Sequence, residues 1–434
     1  MDKMADVLGR AGAWCGQNKY LSAIKNAFQN FMPLTIAGAI GVLWCNVLVN
    51  DQTGLGLFFK PIMALEFLNP AFQAVNFCTI SCITVGITLG IAQEIGIWNM
   101  GAEKAGYIPG LVGLAAWLSV TNTSHMVEGA KAAFTGISGN ELGATGLFTG
   151  MIIGVLSVEL FCFFEKQDAL KIKMPEQVPP GVARAFEVLV PATITLIITA
   201  CIGSACYNLT GLYLNDVIKN GIQGPLGAVG ATIPGVMIIY LVIMLFWLVG
   251  IHGNNMLSAV KEALFTPLAL ENVEAFNKHQ TPKNIINMYA LQMWGEFGGS
   301  GVTIGLVIAI MIFGKREDNK AIATLSLVPG LFNINETVTF GIPMVLNPIL
   351  GIPFVVAPLI TIIIGYVLTV IGFCPVACLT VPWTTPPIVF GFLATGANVM
   401  GAVTQAILIV VSTVIYTPFL ISYEKYQNKQ AAEA

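Results

Sequence analysis

Glu336 lies in GLFNINETVTFGIPMVLNPIL, residues 330–350, and is the one formally charged side chain between Lys320 and Glu424. An ionisable group in such apolar surroundings costs several kcal/mol unless it faces a polar cavity, so its retention points to work on a ligand or an ion. Asn333 and Asn335 add amide donors and acceptors beside it, and Gly330 and Gly341 bracket a segment that suits a broken helix. The plain alternative is a carboxylate that caps a helix end. His252, in FWLVGIHGNN, is the second such group: from Asn220 to Val260 there is no Asp, Glu, Lys or Arg, and only this imidazole titrates near neutrality. Gly253, Asn254 and Asn255 follow it directly. Glu296, in MWGEFGGSG with Trp294 close by, is a third candidate; Glu159, in GVLSVELF near a basic loop, is expected to snorkel instead.

A carboxylate, an imidazole, Asn amides and Trp faces suit a neutral, polyhydroxylated molecule. Sugar hydroxyls need paired donors and acceptors, and an indole covers the apolar face of a pyranose. An anionic substrate would call for Arg or Lys, and none lies within these segments.

The elements that must carry these residues are membrane helices. Of 434 residues 56% are hydrophobic and only 10% charged, against about 25% charged in soluble domains. Apolar windows such as 144–164, 188–206, 353–373 and 406–423 are long enough to cross a bilayer. In the first half, crossings are expected near 31–49, 70–93, 106–121, 144–164 and 187–207. In the second half, Gly and Pro are dense at membrane depth (Gly298, Gly299, Gly301, Pro343, Pro348, Pro386), which is tolerated only where protein or a watery cavity surrounds the break. That is the pattern of a transporter with broken or re-entrant helices around a midplane site. The expected fold is an all-α polytopic membrane protein with about ten transmembrane helices.

Charge sets orientation and domains. Lys3, Arg10, Lys19 and Lys25 precede the first apolar segment; Lys166, Lys171, Lys173 and Arg184 share one connection, Lys315, Arg316 and Lys320 another, and Lys425 and Lys429 the tail. Lys and Arg stay cytoplasmic, so both termini are expected there, with an even number of crossings. The start lacks the layout of a cleaved signal. Residues 1–30 read as an amphipathic surface segment, 31–210 as an N-terminal transmembrane domain with a cytoplasmic loop at 165–184, 211–423 as the substrate domain and 424–434 as a tail. The nine Cys form no CxxC pair and no ligand spacing with the three His, so no metal or other cofactor is expected. No long basic stripe supports nucleic-acid binding.

At AIKNAFQNFMPLTIAGAI (23–40), MPEQVPPGVARAFEVLVP (174–191), FWLVGIHGNN (246–255), GGSGVTIGLV (298–307) and GLFNINETVTFGIPMVLNPI (330–349) the chain resembles enzyme IIC, the membrane subunit of the bacterial phosphoenolpyruvate-dependent sugar phosphotransferase system, in its lactose/cellobiose/diacetylchitobiose branch. The five motifs run in family order over nearly the whole length. The resemblance implies a cell-membrane homodimer that makes its dimer contact through the N-terminal half, and a C-terminal half with two re-entrant hairpins that holds the sugar. By resemblance, His252 and Glu336 are the pair that hydrogen-bonds the hydroxyl to be phosphorylated, and Trp383 in VPWTTPP borders the sugar. The expected binding set is Glu336, His252, Asn254, Asn335, Trp383, Trp294 and Glu296. A phosphocysteine on a IIB protein, itself charged by IIA, is the implied phosphate donor; IIA and IIB are expected on separate chains, so the subunit is not an enzyme alone. One departure stands out: the family commonly has Pro after the NINE glutamate, and Thr337 stands here, which restores a backbone donor. A proton-coupled sugar symporter, with Glu336 or Glu296 carrying the proton, is the rival expectation.

Overall fold

A computed structural model describes residues 10, 14, 17–51, 55–125, 134–175, 177–225, 230–342 and 344–433. Most of the expected surface segment at 1–16, and Pro343, lie outside the described residues. Residues 19–30 belong to α1 (Lys19–Leu43), which runs on without interruption into the first apolar segment. The helices that follow are α2 (Asn69–Cys78), α3 (Ile83–Met100), α4 (Ile108–Val120), α5 (Ala144–Glu165) and α6 (Pro180–Thr210). Then come α7 (Ile233–Leu248), α8 (Ser258–Asn277), α9 (Met288–Gly295), α10 (Ile304–Phe313) and α11 (Glu317–Leu331). The last are α12 (Glu336–Gly341), α13 (Gly351–Val370), α14 (Val389–Ala394) and α15 (Val399–Glu433). Among the described residues six helical segments are long and apolar enough to cross a membrane. Among the described residues strand pairing is confined to a two-residue antiparallel ladder that pairs Ser124 with Thr135 and His125 with Phe134.

The chain falls into two compact units, one of residues 17–38 and 74–228, the other of 39–73 and 229–434 together with the N-terminal residues. The division in the chain thus comes at 228/229, where the sequence suggested 210/211, and 39–73 group with the later residues.

In the first unit α3, α4 and α5 pack on one another through Ile87, Ile91, Ala92, Trp117, Val158 and Phe161, all buried. Small residues set the approach, with Gly150 of α5 against Thr84 and Thr88 of α3. The connection 165–184 is tied at both ends. The Glu165 carboxylate, 1% exposed, takes Lys104 at 2.9 Å and Arg184 at 3.0 Å, and Arg184 also pairs with Glu187 at 2.7 Å. Glu159 pairs with Lys19 at 2.5 Å, so its charge is neutralised within the helix packing.

The second unit is built from shorter pieces. At 1.5 Å per residue α9, with 8 residues, and α10, with 10, reach about 12 and 15 Å, too short to span a bilayer of about 30 Å. A loop of positive φ at Gly298, Gly299, Gly301 and Val302 joins them. A second break, at 332–335 with Asn333 at φ 62, separates α11 from the six-residue α12. The longer helices α13 and α15 brace the first break: Phe354 of α13 packs against Gly301, and Tyr416 of α15 donates its hydroxyl to the Gly301 carbonyl at 2.8 Å. At the charged turn before α11, Glu424 of α15 accepts the Lys315 and Arg316 amides at 2.8 and 3.3 Å.

Candidate functional site

The second unit contains a cavity of about 560 Å³, lined by residues of five sequence-separated segments: 252–255, 292–300, 333–336, 383–390 and 405. The breaks described above supply most of its wall, because only where a helix stops do backbone and short polar side chains face inward.

His252 is placed by the end of α7. The helix stops at Leu248, Gly250 turns the chain at φ 81, and His252 then caps a short helix, Gly253–Met256, by accepting the Asn255 amide on Nδ1 at 3.3 Å. A Cβ on Gly253 would collide with the Ile243 carbonyl, so glycine alone permits this close return of the chain. With Nδ1 an acceptor, the neutral ring carries its proton on Nε2. That nitrogen faces Glu336 Oε1 at 3.9 Å. The buried Trp247 indole packs on the imidazole, centroids 4.4 Å apart, and Phe354 meets it edge-on. Ring orientation is thereby fixed by packing as well as by the cap.

Glu336 opens α12, where a carboxylate sits favourably at the positive end of the helix. The side chain is 48% exposed, and that of His252 36%. At 3.9 Å the two are too far apart to bond directly, yet a single oxygen can lie about 2.8 Å from both. A hydroxyl in that position accepts from Nε2–H and donates to the carboxylate.

Asn335, buried, donates to the Ser300 carbonyl at 2.7 Å, and Asn254 donates to the Ser300 hydroxyl at 3.0 Å. Gly299, at φ 86, leaves the space that the Asn335 side chain fills. Two buried acceptors in lining residues, Asn254 Oδ1 and Gln292 Oε1, have no hydrogen-bond partner. Unmet acceptors of this kind are matched by hydroxyl donors.

Glu296 lines the cavity but is engaged elsewhere. Its Oε1 accepts the Tyr240 hydroxyl at 2.7 Å and pairs with Lys261 of α8. The sequence showed no Arg or Lys within the segments that carry the candidate residues, so no cation was expected at the site. The structure corrects this: Lys261 is buried against the cavity wall, because α8 turns its first residues inward.

Of the seven expected residues, Glu336, His252, Asn254, Asn335, Glu296 and Trp383 line this one cavity. Trp294 does not. It is 1% exposed and packs against Gly365 of α13, so its assignment to the site is corrected. The physical reason is spacing: residues two apart at a helix end point to different sides, and Glu296 took the cavity side. Sequence reasoning missed Gln292, Ser300, Phe297, Phe390 and Gln405. Gln405 carried a usable signal, since a lone amide within the apolar run of α15 is costly unless bonded.

Residues 25–358 match the pattern of the family described as Phosphotransferase system, EIIC. The chain belongs to this family. The EIIC chain is 32% identical over 428 residues to the oligo-beta-mannoside-specific EIIC component of Bacillus subtilis (strain 168), covering 98% of its own length and 94% of the relative. It is 30% identical to the cellobiose-specific EIIC component of Lactococcus lactis subsp. lactis (strain IL1403), covering 98% of each chain. Its fold matches the crystal structure of ChbC, the IIC component of the N,N'-diacetylchitobiose-specific phosphotransferase system, with a TM-score of 0.88, 29% identity and 97% of each chain covered. The expected all-α polytopic fold is therefore correct, and this EIIC chain is a multi-pass membrane protein. As an EIIC component it works with the IIA and IIB components of the same system.

Proposed function

We propose that this EIIC chain binds a neutral β-linked disaccharide of the cellobiose, chitobiose or lactose type in the cavity and presents one hydroxyl for phosphorylation. The observation that carries the reading is the His252–Glu336 pair, oriented and 3.9 Å apart on the wall of a cavity whose other lining side chains are mainly amides and aromatic rings, with the Ser300 hydroxyl and the ion-paired Glu296 among them. The volume suits a disaccharide, since ligand pockets run from about 300 to 1,000 Å³. The relatives named above for oligo-β-mannoside, cellobiose and diacetylchitobiose share the β-linked class.

In this reading Glu336 accepts the proton of the bound hydroxyl, the hydroxyl oxygen forms the new bond to phosphorus, and the sulfur–phosphorus bond of a IIB phosphocysteine breaks. Catalysis of this transfer rests on positioning and charge management, which a preset pair supplies. The product carries new negative charge beside Glu336 and binds poorly, which traps it inside. The two helix breaks, at 296–303 and 332–335, are proposed as the re-entrant hairpins of the family.

Both termini are proposed to be cytoplasmic. Support comes from Lys315 and Arg316, which lie against Glu424 and Asn428 near the C-terminus, so two of the basic clusters share one side of the second unit. Homodimerisation through the first unit is proposed from the family resemblance, and cross-linking in native membranes tests it.

Uptake in membrane vesicles tests the whole reading. Labelled cellobiose should accumulate as its phosphate, require the soluble phosphate carriers and ignore a protonophore. Unmodified sugar inside, together with sensitivity to the protonophore, would establish the symporter instead.

A further inference from the structure

The cavity segment that carries Trp383 runs over residues 380–388 and contains Pro382, Pro386 and Pro387. Two side-chain amides hold it. Asn333 donates from Nδ2 to the Trp383 and Thr385 carbonyls at 2.5 and 3.0 Å, while its Oδ1 accepts the Gly298 amide at 2.6 Å. Gln405 of α15 accepts the Ile388 and Gly391 amides on Oε1, at 2.8 and 2.7 Å, and donates from Nε2 to the Met293 carbonyl at 3.2 Å.

The held conformation is strained. Ile388 sits at φ 75, a region that β-branched residues rarely enter, and such strain persists only where the surroundings over-determine it. Gln405 is almost fully buried, and both lone pairs of its Oε1 are taken by backbone amides. Asn333 is half-buried, and its oxygen and nitrogen likewise serve backbone groups of neighbouring loops. Although both residues line the cavity, their polar atoms are occupied by its wall.

We propose that Asn333 and Gln405 are positioning residues, a double amide clamp that holds the strained Trp383 loop so that the indole stands preset against the bound sugar. Presetting spares the cost of ordering the loop on binding. The inference rests on the disaccharide reading above and deepens it.

Two measurements on the purified full chain test it. The first needs no sugar: backbone hydrogen exchange at Ile388 and Gly391. Both amides should be protected in the native protein and exchange at least roughly tenfold faster in Gln405→Met, which keeps the volume and loses the acceptor. Gln405→Glu, which keeps the acceptor oxygen, should restore protection. Unchanged exchange in Gln405→Met would overturn the clamp.

The second is a double-mutant cycle on cellobiose binding with Trp383→Ala. Gln405→Met alone should weaken binding roughly tenfold, and the double variant should bind no worse than Trp383→Ala alone, because the amide acts through the indole. Losses that simply multiply would assign Gln405 a general structural role and overturn the proposal. If the native chain binds none of cellobiose, chitobiose and lactose, the disaccharide reading fails, and the exchange experiment still decides the clamp.

Discussion

Glu296 and Glu336 are two carboxylates of one cavity put to opposite uses. Glu296 is bound by Tyr240 and Lys261 and belongs to the wall. Glu336 stands half exposed, with His252 at 3.9 Å and room for an oxygen between them. A charge that must remain stable in an apolar setting is given a counter-ion and a hydroxyl. A charge that must act on a ligand is left with an incomplete shell, and a neighbouring ring supplies orientation without neutralising it.

Removing the counter-ion should expose this difference most. In Lys261→Met the Glu296 carboxylate is left uncompensated and largely buried, and loss of one partner of such a pair costs about 3–5 kcal/mol. Thermal unfolding in detergent should show a large drop. Lys261→Met combined with Glu296→Leu should recover much of it, because paired removal leaves no orphaned charge. Equal stability of the single and double variants would place Glu296 among the freely solvated groups and erase the contrast.

The next effect falls on binding. Glu336→Gln keeps shape but turns one acceptor oxygen into a donor and removes the charge that strengthens its hydrogen bonds. Hydrogen bonds to charged groups contribute about 1.5–3 kcal/mol, so cellobiose binding should weaken roughly ten- to hundredfold. Stability should stay within about 0.5 kcal/mol, as for other exposed positions. Titration calorimetry and thermal unfolding on the same sample separate the two. Native binding by this variant would remove Glu336 from the site.

Sequence could show one side of the contrast and not the other. Glu336 and His252 were legible because each is alone in tens of apolar residues, a signal that needs no knowledge of tertiary structure. The broken helix before Val302 was legible from the glycines of GEFGGSG. The Lys261–Glu296 pair was not, since its members lie 35 residues apart in separate segments and only the folded chain brings them together. Nor was the clamp, because Asn333 and Gln405 meet the Trp383 loop only after three distant segments have folded together.

Trp294 gives the smallest effect and the cleanest control on the comparison. Being two residues from Glu296, it invited assignment to the same surface, yet α9 ends at Gly295 and the indole turns into the α13 contact at Gly365. Its Nε1 has no hydrogen-bond partner, so replacing the indole by a smaller ring sacrifices packing and no polar contact. Trp294→Phe should therefore lower stability by roughly 1–2 kcal/mol, as partial core truncations do, and leave sugar affinity unchanged. A fall in affinity without a fall in stability would return Trp294 to the cavity. It would also show that α9 presents two neighbouring residues to one ligand, which the present helix end forbids.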